Sequence, residues 1–192
     1  METVLAICLG IGLSAACGFR IFVPLLIMSI ASLSGHLQLA TGFDWIGTYP
    51  ALITFSVATA LEITGYYVPW VDHLLDTIST PAAIVAGTIA TAAIVSNMSP
   101  LLKWSLAIIA GGGAAGLVQG TTVLARGVST ATTGGIGNPV VATAELGGSV
   151  MTSVIAIAAP LLVIFVLASV AFAFCRLLIR RIRRLHPVTQ PC

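Results

Sequence analysis

Residues 3–33 read TVLAICLGIGLSAACGFRIFVPLLIMSIASL, an apolar run interrupted by a single charge, Arg20. A bilayer core of about 30 Å is crossed by about twenty helical residues at a rise of ~1.5 Å each, so this run is too long for one straight span. Gly18, Phe19 and Arg20, followed by Pro24, put a flexible residue, a charge and a helix disruptor within two turns. That combination predicts a kinked or discontinuous first helix with Arg20 at the irregular point, either one bent helix or a hairpin.

The rest of the chain has the same character. Hydrophobic residues make up 58% of it and charged residues 7%, with a mean hydropathy of +1.09, whereas about a quarter of the residues of a soluble domain are charged. The composition predicts an all-α polytopic integral membrane protein with about five transmembrane helices, some of them broken or re-entrant. After 3–33 the expected spans are 48–67, 82–95, 101–126 and 149–175, the last kinked at Pro160, with loops at 34–47 and 127–137. Glu2 is the only charge at the N-terminus, which reads as a retained span and not a cleaved signal.

Of the 8 basic residues, Arg176, Arg180, Arg181, Arg183 and Arg184 crowd into the end of the chain. Residues 1–175 therefore read as a single transmembrane domain and 176–192 as a basic tail, cytoplasmic by the positive-inside rule. The expected location is the cell inner (plasma) membrane, multi-pass; with five spans Lys103 lies on the side of the tail and the N-terminus lies outside. Basic residues beside an apolar span report orientation and give no reason to expect nucleic acid as a partner. Cys8, Cys17, Cys175 and Cys192 show no metal-ligand spacing, and no structural disulfide is expected.

Val-Pro-Trp-Val-Asp-His-Leu-Leu-Asp-Thr-Ile-Ser-Thr at 68–80 is the most polar helical stretch. Pro69 suits a first helical position and Pro81 a boundary, and Val71, Leu74, Leu75 and Ile78 make one apolar face opposite Asp72, Asp76 and Ser79. It is too short to span and reads as an interfacial or re-entrant helix. A counterpart follows at Asn138-Pro139, a cap and a starting proline for a half helix carrying Glu145 and ending at Gly147-Gly148. Pro139 precedes Glu145 much as Pro69 precedes Asp76. Gly10 and Ser14 also stand as far before Arg20 as Gly116 and Gly120 do before Arg126, which raises an inverted repeat as a possible organisation. Gly10, Ser14 and Gly18, and again Gly112, Gly116 and Gly120, form small-residue seams of the kind that let helix backbones approach in lipid.

An ionisable side chain in hydrocarbon costs at least about 2.5 kcal/mol on insertion scales, so such residues usually face partners, water or a cavity. Arg20, Glu62, Asp72, Asp76, Arg126 and Glu145, with His73 and Asn138, are the candidate substrate-binding residues. The bland alternative is that the arginines are structural clamps or snorkel to the interface. Asp72 and Asp76 share a helical face, but His73 projects about 100° away from Asp72 and no second ligand cluster follows, so neither a metal nor a cofactor is expected. No nucleophile elbow, P-loop, dinucleotide fingerprint or zinc-protease motif is present, and no catalytic residue is assigned.

Gly-Leu-Ser-Ala-Ala-Cys-Gly-Phe-Arg-Ile-Phe-Val-Pro-Leu-Leu at 12–26, Val-Asp-His-Leu-Leu-Asp at 71–76 and Asn-Pro-Val-Val-Ala-Thr-Ala-Glu at 138–145 resemble the signature stretches of an uncharacterised bacterial membrane family, domain of unknown function 4126. The resemblance runs to about Gly148 and implies a polytopic membrane fold with no established activity. Two functional readings stand side by side. One is a small transporter or channel with a polar intramembrane site for an anionic or zwitterionic solute, the acids handling protons or cations. The other is a lipid-binding or membrane-organising protein that moves nothing, with a metal-dependent intramembrane enzyme a distant third. The expected partners are membrane lipids, further copies of the chain in a homo-oligomer, and a small solute or ion of unknown identity.

Overall fold

The computed structural model describes residues 2–67, 69–96, 98–169, 172 and 176, and of 69–74 and 76 the backbone alone. The elements are α1 (Glu2–Phe19), α2 (Phe22–Leu33), a 3-10 turn at Asp44–Gly47, α3 (Tyr49–Gly65), α4 (Pro69–Ile94), α5 (Pro100–Leu106), a π-helical segment at Ala107–Gly112, α6 (Gly113–Thr133) and α7 (Asn138–Ala158). After a break at Ala159, a short apolar helix α8 covers Pro160–Ser169. α5, the π segment and α6 form one rod, Pro100–Thr133, and among the described residues four helical stretches are long and apolar enough to cross a membrane: α1, the Thr77–Ile94 part of α4, this rod and α7. The protein is an all-α polytopic membrane protein.

The first apolar run divides where the sequence places its irregularity. α1 stops at Phe19, Arg20 and Ile21 turn the chain, and α2 restarts at Phe22. α2 returns toward the face where α1 began, since Leu37 and Gln38 just beyond it line a groove with Glu2, Leu5 and Leu9. The two helices are therefore a hairpin with unequal arms. That extra reversal changes the parity of the chain. Gly12 packs on Ala156 and Val163, and Pro160 shares the groove of Glu2, so the N-terminus and the end of α7 lie on the same face. Lys103 is on that face too, at the start of the rod, near Val95 and Ser96.

Three boundaries differ from the expected ones. Pro81 lies inside α4 and does not separate a polar half helix from a span. The buried stripe Ser79, Ala83, Ala86, Ala90 continues through it, and packing on α1, the π segment and α6 holds the helix together across the missing donor. The stretch from Gly127 is not a loop: α6 runs to Thr133, its hydroxyls folded back on the helix, Thr132 Oγ1 donating to Val128 O at 2.8 Å and Thr133 Oγ1 to Ser129 O at 2.7 Å. The helix ends only where Gly134 takes a left-handed φ of 63°. Gly147-Gly148 does not end a half helix either, because α7 continues through both. Breaks occur instead at Arg20–Ile21 and, close to the expected kink at Pro160, at Ala159, whose φ/ψ of −149°/74° leaves the helical region.

α1 is the central element, packed by α4, α6 and α7, while α2 and α3 pair beside it. Small residues let the backbones meet. Ser14 Oγ donates to Gly87 O at 2.5 Å and lies 2.7 Å from Thr91 Oγ1, and Ser149 Oγ donates to Ala16 O at 3.0 Å. A Cβ on Gly10 would lie 3.2 Å from Thr91 Cα, one on Gly18 would lie 2.5 Å from Ala115 O, and one on Gly112 would lie 2.8 Å from Thr88 Oγ1. Gly116 faces Ile84, but Gly120 faces open space and leaves the seam. The π segment widens the rod there and brings Gly111 against Thr91 and Gly87 O as well.

Candidate functional site

The break after α1 exposes backbone donors at the start of α2, and α3 supplies their acceptor. Glu62 Oε1 accepts from Ile21 N at 2.8 Å and Oε2 from Phe22 N at 3.1 Å. A carboxylate from a neighbouring helix thus does what a local cap normally does, and it sits at the positive end of the α2 dipole. Glu62 is buried for this reason.

Beside this cap lie both arginines. Arg126, on α6, grips Glu145 of α7 with two donors, Nε to Oε1 at 2.9 Å and Nη2 to Oε2. Arg20 reaches the same helix: its Nη2 donates to Ala142 O at 2.9 Å and stands 3.7 Å from Glu145 Oε2. Between them is the ring of Tyr66, just past the end of α3, with each guanidinium carbon 3.9 Å from its centroid. Two guanidinium groups have no room on one ring face at that distance, so they take opposite faces, and the tyrosine is stacked between two cations. Arg20, Arg126, Glu145, Glu62 and Tyr66 are 1%, 4%, 5%, 7% and 5% exposed. Arg126 and Glu145 lie seven residues, ~10 Å along the axis, inside the ends of their helices, which places the cluster within the bundle and not at its rim.

The two arginines are not equivalent. Arg20 is enclosed, yet its Nε and Nη1 have no hydrogen-bond partner among the described residues. Its nearest carboxylate among the described residues is already held in a bidentate pair by Arg126. Stacking on Tyr66 covers the plane of the guanidinium but does not engage its in-plane N–H groups.

Of the expected site residues, the structure brings together Arg20, Glu62, Arg126 and Glu145. Asp72, His73 and Asp76 lie on the first turns of α4, with side chains outside the described set. Asn138 is not the cap of α7. It occupies the first helical position after Gly137 and meets Thr130 of α6, Nδ2 donating to Oγ1 at 3.2 Å, so it ties α6 to α7. Tyr66 is the member that sequence reasoning misses, because the Tyr66-Tyr67 pair at the end of a span looks like an interfacial belt. Tyr67 alone is exposed, its hydroxyl 2.9 Å from Thr143 Oγ1. A second omission is Gln119, whose Nε2 donates to Ser79 Oγ at 2.8 Å across α6 and α4.

Next to the cluster an apolar groove of about 390 Å³ runs between α2, α3 and α4, with Glu62, Tyr66 and Ser79 as its polar lining and Ala58, Leu61 and Ile78 among its apolar walls. α3 barely touches α4, and Leu61 and Ile78 are largely exposed, so the groove opens sideways.

Neither a curated protein nor a solved structure matches the chain. A family model described as a domain of unknown function, DUF4126, matches residues 7–180, which include the Arg20 turn, the start of α4 and the Glu145 segment. The chain therefore belongs to the DUF4126 family.

Proposed function

We propose that this protein is a small membrane transporter that receives an anionic or zwitterionic group at Arg20. The observation that supports this is the pair of unshared Arg20 donors in an enclosed site. A buried polar group without a partner costs about 1–3 kcal/mol, and more when charged, so a cation in this state is a standing demand for an anion. The discontinuous α1–α2 hairpin supports movement as well as binding. Its turn lies inside the bundle, where the broken helices of secondary transporters place their sites, and it is held by one residue of a neighbouring helix, Glu62.

A second reading, a lipid held without transport, is favoured by the sideways groove. Two measurements on wild type and Arg20→Gln separate them. Native mass spectrometry after gentle detergent extraction reports any co-purified anion, and proteoliposome uptake of labelled inorganic phosphate or glutamate reports flux. Ligand and flux in wild type, both lost in Arg20→Gln, support transport. Ligand without flux supports holding. Identical wild type and variant in both assays overturn the role of Arg20.

A further inference from the structure

We infer that the ligand of the Arg20 site is an anionic membrane lipid, with an acyl chain in the groove between α2, α3 and α4 and its charged headgroup past Tyr66 at Arg20; this rests on the anion-binding role proposed for Arg20. The groove has the size of a ligand pocket, about 390 Å³, within the usual range of roughly 300–1,000 Å³. Its walls are hydrocarbon from Ala58, Leu61, Leu75, Ile78 and Ala82, and it opens to the side of a bundle whose outer surface at Leu61 and Ile78 is apolar and exposed. A water-soluble solute gains nothing from such an approach, whereas a lipid tail already lies in the solvent outside it.

The inner end of the groove is different. Tyr66 lines it, and the other side of that residue is the cation stack, Arg20 Cζ being 3.9 Å from the ring centroid. One residue, Tyr66, therefore touches both the apolar slot and a guanidinium with two nitrogens unsatisfied among the described residues. Ile21 and Phe22, the residues that follow Arg20, form the same wall through their side chains while their backbone N–H groups are taken by Glu62. With Glu62 held by two backbone donors and Glu145 in a bidentate pair by Arg126, Arg20 keeps two nitrogens without a hydrogen-bond acceptor among the described residues, and a negative headgroup would meet them. A phosphodiester carries enough oxygens to meet both free nitrogens, which lie on different edges of the guanidinium. Tyr66, just beyond the last residue of α3, closes the inner end of the groove and carries Arg20 on its ring.

The test is native mass spectrometry of delipidated protein titrated with phosphatidylglycerol, phosphatidylcholine or water-soluble glycerol 3-phosphate. Wild type is compared with Arg20→Gln and with two groove-filling variants, Ala58→Phe and Ala82→Phe, each checked for a monodisperse elution profile. The expected result is phosphatidylglycerol retained at least tenfold better than phosphatidylcholine. Retention falls at least tenfold in Arg20→Gln and in either folded groove variant, and the groove variants still bind glycerol 3-phosphate. If the groove variants retain phosphatidylglycerol as wild type does while Arg20→Gln loses it, the acyl-chain site is overturned and anion binding at Arg20 stands. If Arg20→Gln retains the lipid and the groove variants lose it, the headgroup assignment fails together with the proposed function. Equal retention of both lipids by wild type overturns the inference, the bound lipid then being ordinary boundary lipid.

Discussion

Replacing Gly18 by alanine adds one methyl group at the tightest crossing of α1 and α6, and its cost follows from the geometry. The new Cβ would stand 2.5 Å from Ala115 O, 2.6 Å from Val118 Cβ and 3.0 Å from Gln119 N. Two of those atoms are backbone, which does not swing aside, so the helices have to part by roughly 1 Å to reach ordinary contact. A gap of 0.5–1 Å forfeits about a quarter to a half of the dispersion attraction of every contact along a seam. Dispersion is the main term here, since helices in lipid gain little from apolar burial. With overpacking costing about 1–3 kcal/mol in general, a loss of about 2–3 kcal/mol is expected. Gly120→Ala is the control. No atom lies within 4 Å of that Cβ, and exchanging glycine for alanine inside a helix gains up to about 1 kcal/mol. The pair should therefore differ by about 2–4 kcal/mol, on the order of a hundredfold in the folded-to-unfolded ratio. Unfolding by sodium dodecyl sulfate in mixed micelles, followed by tryptophan fluorescence, measures it. A Gly18→Ala protein as stable as Gly120→Ala would refute the close approach of α1 and α6.

Other consequences are as direct. Glu62→Gln keeps one acceptor for Ile21 and Phe22 but loses the charge at the α2 N-terminus, so stability should drop by about 1–2 kcal/mol, with faster hydrogen exchange at those two amides. Tyr66→Leu removes the ring from both cations and should cost about 2–4 kcal/mol, at up to ~2 kcal/mol for each desolvated cation–π contact, while Tyr66→Phe retains most of it; thermal melts in detergent rank the three proteins. Ser14→Ala deletes the hydroxyl that joins α1 to Gly87 and Thr91, and a loss near ~0.6 kcal/mol, no more than ~1.7, is expected in the same melts.

What is legible in the sequence is local. The break at Arg20 shows because glycine, charge and proline fall within two turns, and the seam at Gly10, Ser14 and Gly18 shows because small residues repeat along one helical face. Four of the site residues show because a charge in hydrocarbon is conspicuous wherever it occurs. The rest depends on what faces what. Pro81 reads as a boundary until the packing of α4 on α1 and α6 is known to override it. Gly112, Gly116 and Gly120 have the same spacing, yet only the first two meet α4, because nothing opposes Gly120 at its level. The topology hinged on whether residues 20 and 21 bend the chain or reverse it, and the sequence left both open. Tyr66 is invisible for a similar reason: a tyrosine at a helix end becomes a partner for two arginines only when three other helices bring them there.

The two arginines offer an internal comparison that distinguishes a clamp from a receptor. They share a ring, a carboxylate and a degree of burial, so the site is able to satisfy a guanidinium, and at Arg126 it does so with two acceptors on Glu145. Removing Arg126 strands that carboxylate, and Arg126→Met should cost about 3–5 kcal/mol, as expected for breaking a buried pair from one side. Arg20 contributes one hydrogen bond, to the Ala142 carbonyl, and a looser 3.7 Å approach to a carboxylate that Arg126 already holds, while two of its nitrogens stay unsatisfied among the described residues. The turn it occupies is held through Ile21 and Phe22 by Glu62, without its help. Arg20→Met gives up about 1.5–3 kcal/mol of charged hydrogen bonding and a cation–π contact, and it relieves the desolvation of two unpaired donors by a similar amount. The ligand-free variant should accordingly stay within about 1 kcal/mol of wild type, while ligand retention collapses. That is the signature of a residue kept for binding at the expense of stability. If Arg20→Met proves as destabilised as Arg126→Met in delipidated protein, Arg20 is a clamp after all, and the anion site must be sought elsewhere in the bundle.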